Sequence, residues 1–350
     1  MKKHVKLLLF IFSLAFFVSQ TMPVMAANPK MSRSKLSLIP GETYTLSVKN
    51  TSSSVKWSSS KKKVAKVNSK GKVTAVSPGK ATITAKVGGK KYKCVVQVQK
   101  TVDIIVFAGQ SNMTGVGNAF SAPKLTHGAG YAYNYVTARK KFTVLKEPFG
   151  FGQDDSYFYN GDYCRGSMVT AFVNAYYQQT KTPVIAVPAS CVGSGSVSWK
   201  DTRYKGVTKR LNAAVKLVKK KKMKVGHVYL VWMQGENDAF ADMSASMHKE
   251  NLQSMYKKIK KKTPVEQCLI ISIANYTKPN DFDLTKKFKR IQNAQKALCK
   301  SSNDFTLIST KATKLSDAYF QEDGLHIIQQ GLNTIGKSAG RAAGKYANSH

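Results

Sequence analysis

Three side chains of this sequence have the types that nucleophilic hydrolysis requires. Ser111 follows an apolar run at 102–107, and Asp323 precedes His326 by three residues before an amphipathic C-terminal stretch. An imidazole can deprotonate a serine hydroxyl when a carboxylate holds its other ring nitrogen, because that contact fixes the tautomer. Of the 6 histidines, His326 is the one with such a neighbour at a loop-to-helix boundary. We therefore interpret Ser111 as nucleophile, His326 as base and Asp323 as its partner.

Ester hydrolysis also requires hydrogen-bond donors for the negative charge that develops on the carbonyl oxygen. The Ser111 amide would lie at a helix start, where the helix dipole favours negative charge. Gly193, in a glycine- and serine-rich segment after the apolar run 184–187, permits close backbone approach. Gln234 can add a side-chain donor. We therefore assign the predicted oxyanion hole to Ser111, Gly193 and Gln234.

Further polar residues flank these positions, and we expect them to orient the site or contact the substrate: Gln110, Asn112, Glu236 and Asp238. Two carboxylates on one loop can also bind a metal, but no clustered histidine or cysteine ligands accompany them. We therefore expect neither a metal nor a cofactor. Each signal also has a purely structural interpretation: Ser111 as a helix N-cap, Gly193 as a turn residue and His326 as a surface side chain.

In the second part of the chain, short apolar runs alternate with stretches of helical spacing. Short apolar runs are typical of strands buried on both faces of a sheet, at 102–107, 184–187, 228–232, 268–273 and 305–308. Stretches with helical spacing separate them, at 168–179, 205–222, 244–262 and 283–299. This alternation predicts a three-layer α/β domain with a parallel sheet. Ligands of such sheets bind beyond the carboxyl ends of the strands, where the candidate residues lie.

An insert at about 119–163 is rich in aromatic residues that either stack on sugar rings near the site or pack internally, namely Phe149, Phe151, Tyr157, Phe158 and Tyr159.

The first part of the chain has a different pattern. Between 28 and 100, short segments of period-two alternation are separated by turn signals such as Pro40-Gly41 and Gly88-Gly89, which predicts an all-β sandwich. The segments 38–44, 55–60, 64–67, 71–75 and 79–85 resemble the bacterial Ig-like domain, group 2. The resemblance implies a surface protein, with this module as a spacer or a glycan-binding unit.

Three motifs of the second part occur in one order: GQSNM at 109–113, WMQGENDA at 232–239 and DGLH at 323–326. Together they resemble the SGNH hydrolase superfamily, most closely its sialate O-acetylesterase-like and acetylxylan esterase branch, over about residues 102–343. The resemblance implies a flavodoxin-like α/β/α sandwich without a cofactor. It also implies the roles given above to Ser111, His326, Asp323 and Gln234, with Glu236 in a supporting position. Gly193-Ser194-Gly195 departs from the Gly-Gly-Thr of many relatives, so the match at Gly193 is less regular.

Residues 1–26 are typical of a signal peptide, with a basic start, an apolar run at 7–18 and a cleavage site at Val24-Met25-Ala26. The apolar run is short for a membrane span, which needs about 20 residues, so we favour export over anchoring. No later segment predicts a transmembrane helix. The predicted organisation is a signal peptide at 1–26, an Ig-like sandwich at 28–100 and a hydrolase domain at 101–350. We expect a secreted, extracellular protein.

The net charge limits the classes of binding partner, and the cysteine content limits the possible disulfides. The formal net charge is +38, from 56 Lys and Arg against 18 Asp and Glu. No basic stripe with interleaved aromatic residues and no helix-turn-helix pattern indicates nucleic-acid binding. Anionic cell-wall polymers or acidic glycans are the expected partners of the basic surface, and a solvated surface without a partner is an equal alternative. Five irregularly spaced cysteines predict either pairing after export or buried thiols, at Cys94, Cys164, Cys191, Cys268 and Cys299.

The sequence thus predicts a secreted serine esterase that removes O-acetyl groups from carbohydrate such as sialate, xylan or cell-wall glycan. One competing hypothesis is a non-catalytic surface protein for adhesion or glycan binding, which the Ig-like module and the charge favour. The intact set of Ser111, Gln234, Asp323 and His326 argues against it. An acyltransferase on the same fold is a further alternative. A lipase is disfavoured because no apolar lid segment is present.

Overall fold

The computed structural model describes residues 28–158, 166–278 and 282–350. The predicted signal peptide at 1–26 therefore lies outside the described residues, as do Tyr159 and Cys164. No helix within the described ranges is long and apolar enough to cross a membrane.

The N-terminal part is a β-sandwich, as its alternating pattern predicted. A four-stranded sheet has the order β2-β9-β8-β5, a three-stranded sheet has the order β3-β7-β6, and β1 pairs with β4. One apolar core lies between the sheets, and it includes Leu36, Ile83 and Val96 of the first sheet and Val73 of the second. The strands are β1 Lys30–Met31, β2 Lys35–Leu38, β3 Thr43–Thr45, β4 Val48–Lys49, β5 Lys56–Ser59, β6 Ala65–Val67, β7 Lys72–Ala75, β8 Gly79–Val87 and β9 Lys90–Val98.

The C-terminal part is built on a seven-stranded sheet with the order β12-β11-β13-β10-β14-β15-β16. All neighbours pair in parallel except the edge strand β12, which is antiparallel to β11. The strands are β10 Thr101–Gly109, β11 Gly130–Ala132, β12 Thr143–Val144, β13 Val184–Ser190, β14 Lys224–Met233, β15 Gln267–Ile271 and β16 Phe305–Ser309. The short strands β11 and β12 lie in the aromatic insert and were not predicted.

Helices cover both faces of this sheet because its strands are apolar on both sides. In β10, Ile104 and Val106 face a core shared with α4 and α6, whereas Ile105 and Phe107 face one shared with α2 and α8. The α-helices are α1 Ser111–Thr114, α2 Val169–Thr180, α3 Ser196–Ser198, α4 Tyr204–Lys220, α5 Glu236–Phe240, α6 Ala245–Lys260, α7 Phe282–Ser301 and α8 Gln329–Ser349. A π-helical turn at Trp199–Arg203 joins α3 to α4. The predicted α/β/α sandwich is therefore confirmed.

The aromatic residues of the insert are mostly packing residues. Phe149 and Phe158 are 4% and 1% exposed within the two cores of the sheet, and Tyr157 packs partly against one of them. Phe151, at 66% exposure, remains accessible. The internal-packing alternative therefore applies to Phe149, Phe158 and Tyr157.

The described cysteines have free thiols. Cys94, Cys191 and Cys268 are buried, and Cys299 is half-buried. Desolvation raises the pKa of the Cys299 thiol to about 12 and that of Cys94 to about 11, although the charge of Arg33 opposes the shift at Cys94. Thiols with such pKa values are poor nucleophiles at neutral pH.

Candidate active site

The candidate site lies where the strand order of the sheet reverses. β10 is the first strand of this sheet. The next three strands, β11 to β13, lie on one side of it, and β14 to β16 lie on the other. Gly109 at the end of β10 is in register with Ser190 of β13 and Met233 of β14, so three loops leave the sheet side by side. This is the crevice in which open α/β sheets bind ligands.

The turn that carries Ser111 requires a glycine before it. Gly109 has φ +148°, and a Cβ there would lie 1.9 Å from the Met233 carbonyl oxygen. The Gln110 N–H donates to that same oxygen at 3.2 Å, and helix α1 begins at Ser111. The close approach of β10 and β14 thus turns the chain sharply and places the Ser111 hydroxyl at the rim of the sheet, 4% exposed.

The structure brings the three predicted catalytic residues into one hydrogen-bonded chain. Ser111 Oγ lies 2.9 Å from His326 Nε2, and His326 Nδ1 lies 2.5 Å from Asp323 Oδ2. The second carboxylate oxygen of Asp323 accepts the N–H groups of Leu325 and His326, both at 2.9 Å. The turn therefore presets the carboxylate against the imidazole, which is the arrangement that orients a general base.

The contacts of Asp323 keep its carboxyl group ionised. Partial burial raises its pKa, but the backbone donors of His326 and Leu325 and the imidazole of His326 outweigh that effect, so the pKa lies below its ordinary value. A carboxylate in this form can hold an N–H on the Nδ1 side of the ring, which leaves Nε2 as the acceptor toward Ser111.

Asn112 connects helix α1, which begins at Ser111, to the turn that contains His326. Its Nδ2 donates to Glu236 Oε1 at 2.9 Å and to the Leu325 carbonyl at 3.3 Å, and its Oδ1 accepts the Ile327 N–H at 3.1 Å. Desolvation raises the pKa of the buried Glu236, although the bond from Asn112 acts in the opposite direction. Asn112 and Glu236 thus support the triad from below rather than facing solvent.

The loop after β13, which carries Gly193, is attached to the end of β10. The Cys191 N–H donates to Gly109 O at 2.8 Å, which fixes the loop against the end of β10. Among the described residues, neither the Ser111 N–H nor the Gly193 N–H has a hydrogen-bond acceptor. Gly193 has φ +68°, and the space around it is open. An oxyanion hole requires such unpaired backbone donors, and both belong to loops that leave the adjacent strands β10 and β13 at the same edge of the sheet.

Asn237 joins these two loops and was not identified from the sequence. Its Nδ2 donates to Gly193 O at 2.8 Å, its Oδ1 accepts from Gln110 Nε2 at 3.1 Å, and its N–H donates to Gln110 Oε1 at 3.2 Å. Gln110 therefore acts through Asn237, and the pair fixes the distance between Gly193 and the serine turn.

Gln234 makes a different contact from the one expected. Its side chain is fully buried, and Nε2 donates to Ser194 O at 3.2 Å. The backbone of Gln234 is in turn held by Gln295 Nε2 at 2.8 Å. The amide group of Gln234 therefore supports the Gly193–Ser194 backbone, and its role as an oxyanion donor stays a prediction.

Asp238 holds the same loop from its other end. Its Oδ1 accepts the Ser196 N–H at 2.8 Å, and its Oδ2 lies 2.6 Å from His248 Nδ1, with both side chains at most 1% exposed. Burial raises the pKa of Asp238, but the hydrogen bond and charge of His248 outweigh it, so the pKa is lowered. His248 was not identified from the sequence. No group of three or more metal-ligating side chains occurs within the ranges described above.

The C-terminal part has the α/β/α sandwich with a mostly parallel sheet that the motifs predicted. Residues 101–345 match the family described as carbohydrate esterase, sialic acid-specific acetylesterase, and residues 27–96 match the bacterial Ig-like domain, group 2. Because the first match covers well over half of the 350 residues, the chain belongs to this carbohydrate esterase family. Comparison with curated proteins found no match.

The chain is also similar to solved structures at low identity. A protein from Arabidopsis thaliana is 18% identical, with a TM-score of 0.53, over 72% of this chain and 99% of its own. A carbohydrate acetylesterase from Xanthomonas citri is 13% identical, with a TM-score of 0.45, over 92% and 76% of the two chains. An acetylxylan esterase from Geobacillus stearothermophilus is 14% identical, with a TM-score of 0.43, over 69% and 94%.

Proposed function

We propose that this chain is a secreted serine esterase that removes O-acetyl groups from carbohydrate. Membership of the carbohydrate esterase family supports esterase activity. The single observation that carries the mechanism is the continuous contact from Ser111 Oγ through His326 to Asp323. Secretion rests on the basic and apolar pattern of residues 1–26.

The reaction proceeds in two steps. His326 Nε2 takes the Ser111 proton as the serine oxygen attacks the acetyl carbonyl, and the Ser111 and Gly193 amides stabilise the oxyanion. His326 then donates that proton to the sugar oxygen, which leaves as the alcohol. Water, deprotonated by the same imidazole, hydrolyses the acetyl-serine, and acetate is released. Asp323 holds the imidazolium throughout, and Gln234 holds the loop that carries the Gly193 amide.

The direct test is the Ser111→Ala variant assayed with p-nitrophenyl acetate. We expect kcat/KM to fall by about 10⁴-fold or more, because loss of a triad nucleophile leaves only binding and oxyanion stabilisation. The matched control is Ser121→Ala, at an exposed serine outside the site, which should retain full activity. Circular dichroism should show the same fold for both. Undiminished hydrolysis by Ser111→Ala would refute the assignment.

We propose that the sugar part of the substrate lies in a cavity of about 850 Å³ beside the catalytic turn. Its lining includes Tyr276, Phe288 and Arg290. The Thr277 N–H donates to the Gly324 carbonyl at 3.0 Å, so the cavity wall continues into the Asp323–His326 turn. The half-buried Tyr276 ring, which packs on the buried Phe288, has a polar neighbour and so suits a sugar ring, which offers both apolar and hydroxyl faces.

The substrate is tested by measuring acetate release from acetylated xylan, O-acetyl sialate and acetylated peptidoglycan in parallel. Tyr276→Ala should raise KM for the best glycan and leave p-nitrophenyl acetate hydrolysis unchanged, since the small ester does not reach the cavity. Cleavage of simple esters with no acetate release from any glycan would contradict the carbohydrate substrate. Formation of a new sugar ester in the presence of acceptor would instead identify an acyltransferase.

A further inference from the structure

A second concave site lies at the junction of the β-sandwich and the α/β domain. It has a volume of about 590 Å³, and six of its ten lining residues are lysines. We call it the lysine groove, and it is lined by Pro40, Gly41, Lys62, Lys63, Lys66, Val76, Ser77, Lys220, Lys221 and Lys222. Both parts of the protein contribute cations, three from each.

The lysine groove is distant from the catalytic residues. Lys220 ends α4, and the chain then enters β14 at Lys224, which pairs with Thr101 at the start of β10. Ser111 follows the opposite end of β10. Nine residues of extended strand separate the two ends by about 30 Å, so a ligand of moderate size cannot occupy both sites. The groove therefore needs an explanation other than the esterase reaction.

The positive charge of the groove is not neutralised by the protein. Its lining includes no carboxylate, and none of its six lysines forms a salt bridge with a residue in the described ranges. The nearest acid in sequence, Glu42, is engaged elsewhere, because it accepts from Ile39 N and Tyr131 Oη. Cations near the end of α4 also complement the helix dipole, but that effect does not explain Lys62, Lys63 and Lys66.

Contacts between the two parts hold the walls of the groove in place. Ile39 is buried in the core of the α/β domain, and Tyr131 Oη donates to Glu42 at 2.7 Å. Lys221 Nζ donates to Pro40 O at 3.3 Å and lies so close to Gly41 that a Cβ there would be 2.9 Å from it. Burial lowers the pKa of Lys221, as expected for an ammonium group without a carboxylate partner. The cations are thus brought together by fixed packing and not by flexible tails.

The side chains present select among anions. Lysine ammonium groups are hydrated point charges that bind phosphate, and six of them in one groove without a carboxylate favour an anion with closely spaced charges. The lining also has no aromatic residue on which a nucleic-acid base could stack. We propose that the lysine groove binds a linear polyanion with closely spaced phosphate groups and no bases, and thereby attaches the enzyme to it.

Binding is tested on the full mature chain by fluorescence anisotropy with labelled poly(glycerol phosphate) and, separately, inorganic polyphosphate of matched length. These two arms distinguish a polyol phosphate from a free phosphate chain. Polygalacturonate and single-stranded DNA are the comparison ligands. We expect a phosphate polymer to bind more tightly than either comparison ligand, with affinity that falls steeply as salt is raised.

The critical variant is Lys62→Gln/Lys63→Gln/Lys66→Gln. Its control is Lys90→Gln/Lys91→Gln/Lys93→Gln, which removes the same charge from exposed positions of the same sandwich. The groove variant should bind at least about tenfold more weakly near 0.15 M salt, with a salt slope lower by about 2, as expected when three phosphate contacts are lost. Both variants should hydrolyse p-nitrophenyl acetate normally. Equal weakening in the two variants, or tighter binding of polygalacturonate or DNA, would overturn the proposal.

Discussion

The contact between Asp323 and His326 leads us to expect that Asp323→Asn keeps the turn but reverses the tautomer of His326. An asparagine can keep the acceptor oxygen that binds the Leu325 and His326 N–H groups at 2.9 Å, so the turn should survive. It replaces the oxygen that lies 2.5 Å from His326 Nδ1 with an NH₂ donor. The ring must then accept at Nδ1 and carry its proton at Nε2, and this tautomer cannot take the Ser111 proton.

The exposure of Asp323 sets the size of the effect. Where the triad aspartate is buried, this change lowers kcat by about 10⁴-fold. Here the Asp323 side chain is 45% exposed, so water can replace the amide at Nδ1 and restore part of the productive tautomer. We therefore expect kcat to fall by about 10²–10³-fold, which corresponds to about 3–4 kcal/mol of transition-state stabilisation.

The assay is steady-state hydrolysis of p-nitrophenyl acetate, with urea unfolding measured in parallel. KM should change little, because Asp323 contacts the imidazole and not the ester. The control is Asp317→Asn, at an exposed aspartate in a neighbouring turn, which should leave kcat unchanged. A kcat for Asp323→Asn within about threefold of the wild type would mean that the carboxylate does not set the tautomer of His326.

Three further predictions concern the supports of the site. Asn237→Ala removes the link between Gln110 and Gly193, so kcat should fall about tenfold or more while the urea midpoint stays the same. Gly109→Ala should prevent folding or lower the yield of soluble protein sharply, because its Cβ would lie 1.9 Å from Met233 O. His248→Ala leaves the Asp238 carboxylate buried without its partner and should cost about 3–5 kcal/mol in urea unfolding at pH 7. Since the pKa of Asp238 is depressed in the folded state, the stability that its ionised form provides is present above about pH 4 and is lost as pH falls through the folded value. The free-energy difference between wild type and His248→Ala should therefore narrow in acid, and a constant or widening difference would contradict an ionised Asp238 held by His248.

Much of the fold could be predicted because its strands are long and strongly patterned. β10, β13 and β14 are continuous apolar runs with turn signals after them, so both their type and the position of the site at their ends follow from the sequence. β11 and β12 could not be predicted, since segments of 3 and 2 residues offer too few positions for a period to be read. Their pairing depends on contacts with β13 that are distant in the chain.

The chemistry of the site was more predictable than its supports. Ser111, Asp323 and His326 could be assigned because the spacing of the last two allows a contact within one turn. The contact of Gln234 with Ser194 could not, because it depends on which way the buried amide packs. His248 did carry a signal, as a histidine on the buried face of α6 beside Leu252 and Met255 needs a polar partner. The identity of that partner, Asp238, required the fold.

If Ser111 is the nucleophile, a fluorophosphonate should react with its hydroxyl, and peptide mapping of the labelled protein tests this. We expect one adduct, on Ser111, which forms with loss of esterase activity and is abolished in Ser111→Ala. An adduct on another residue in step with inactivation, or full labelling of Ser111→Ala, would contradict it.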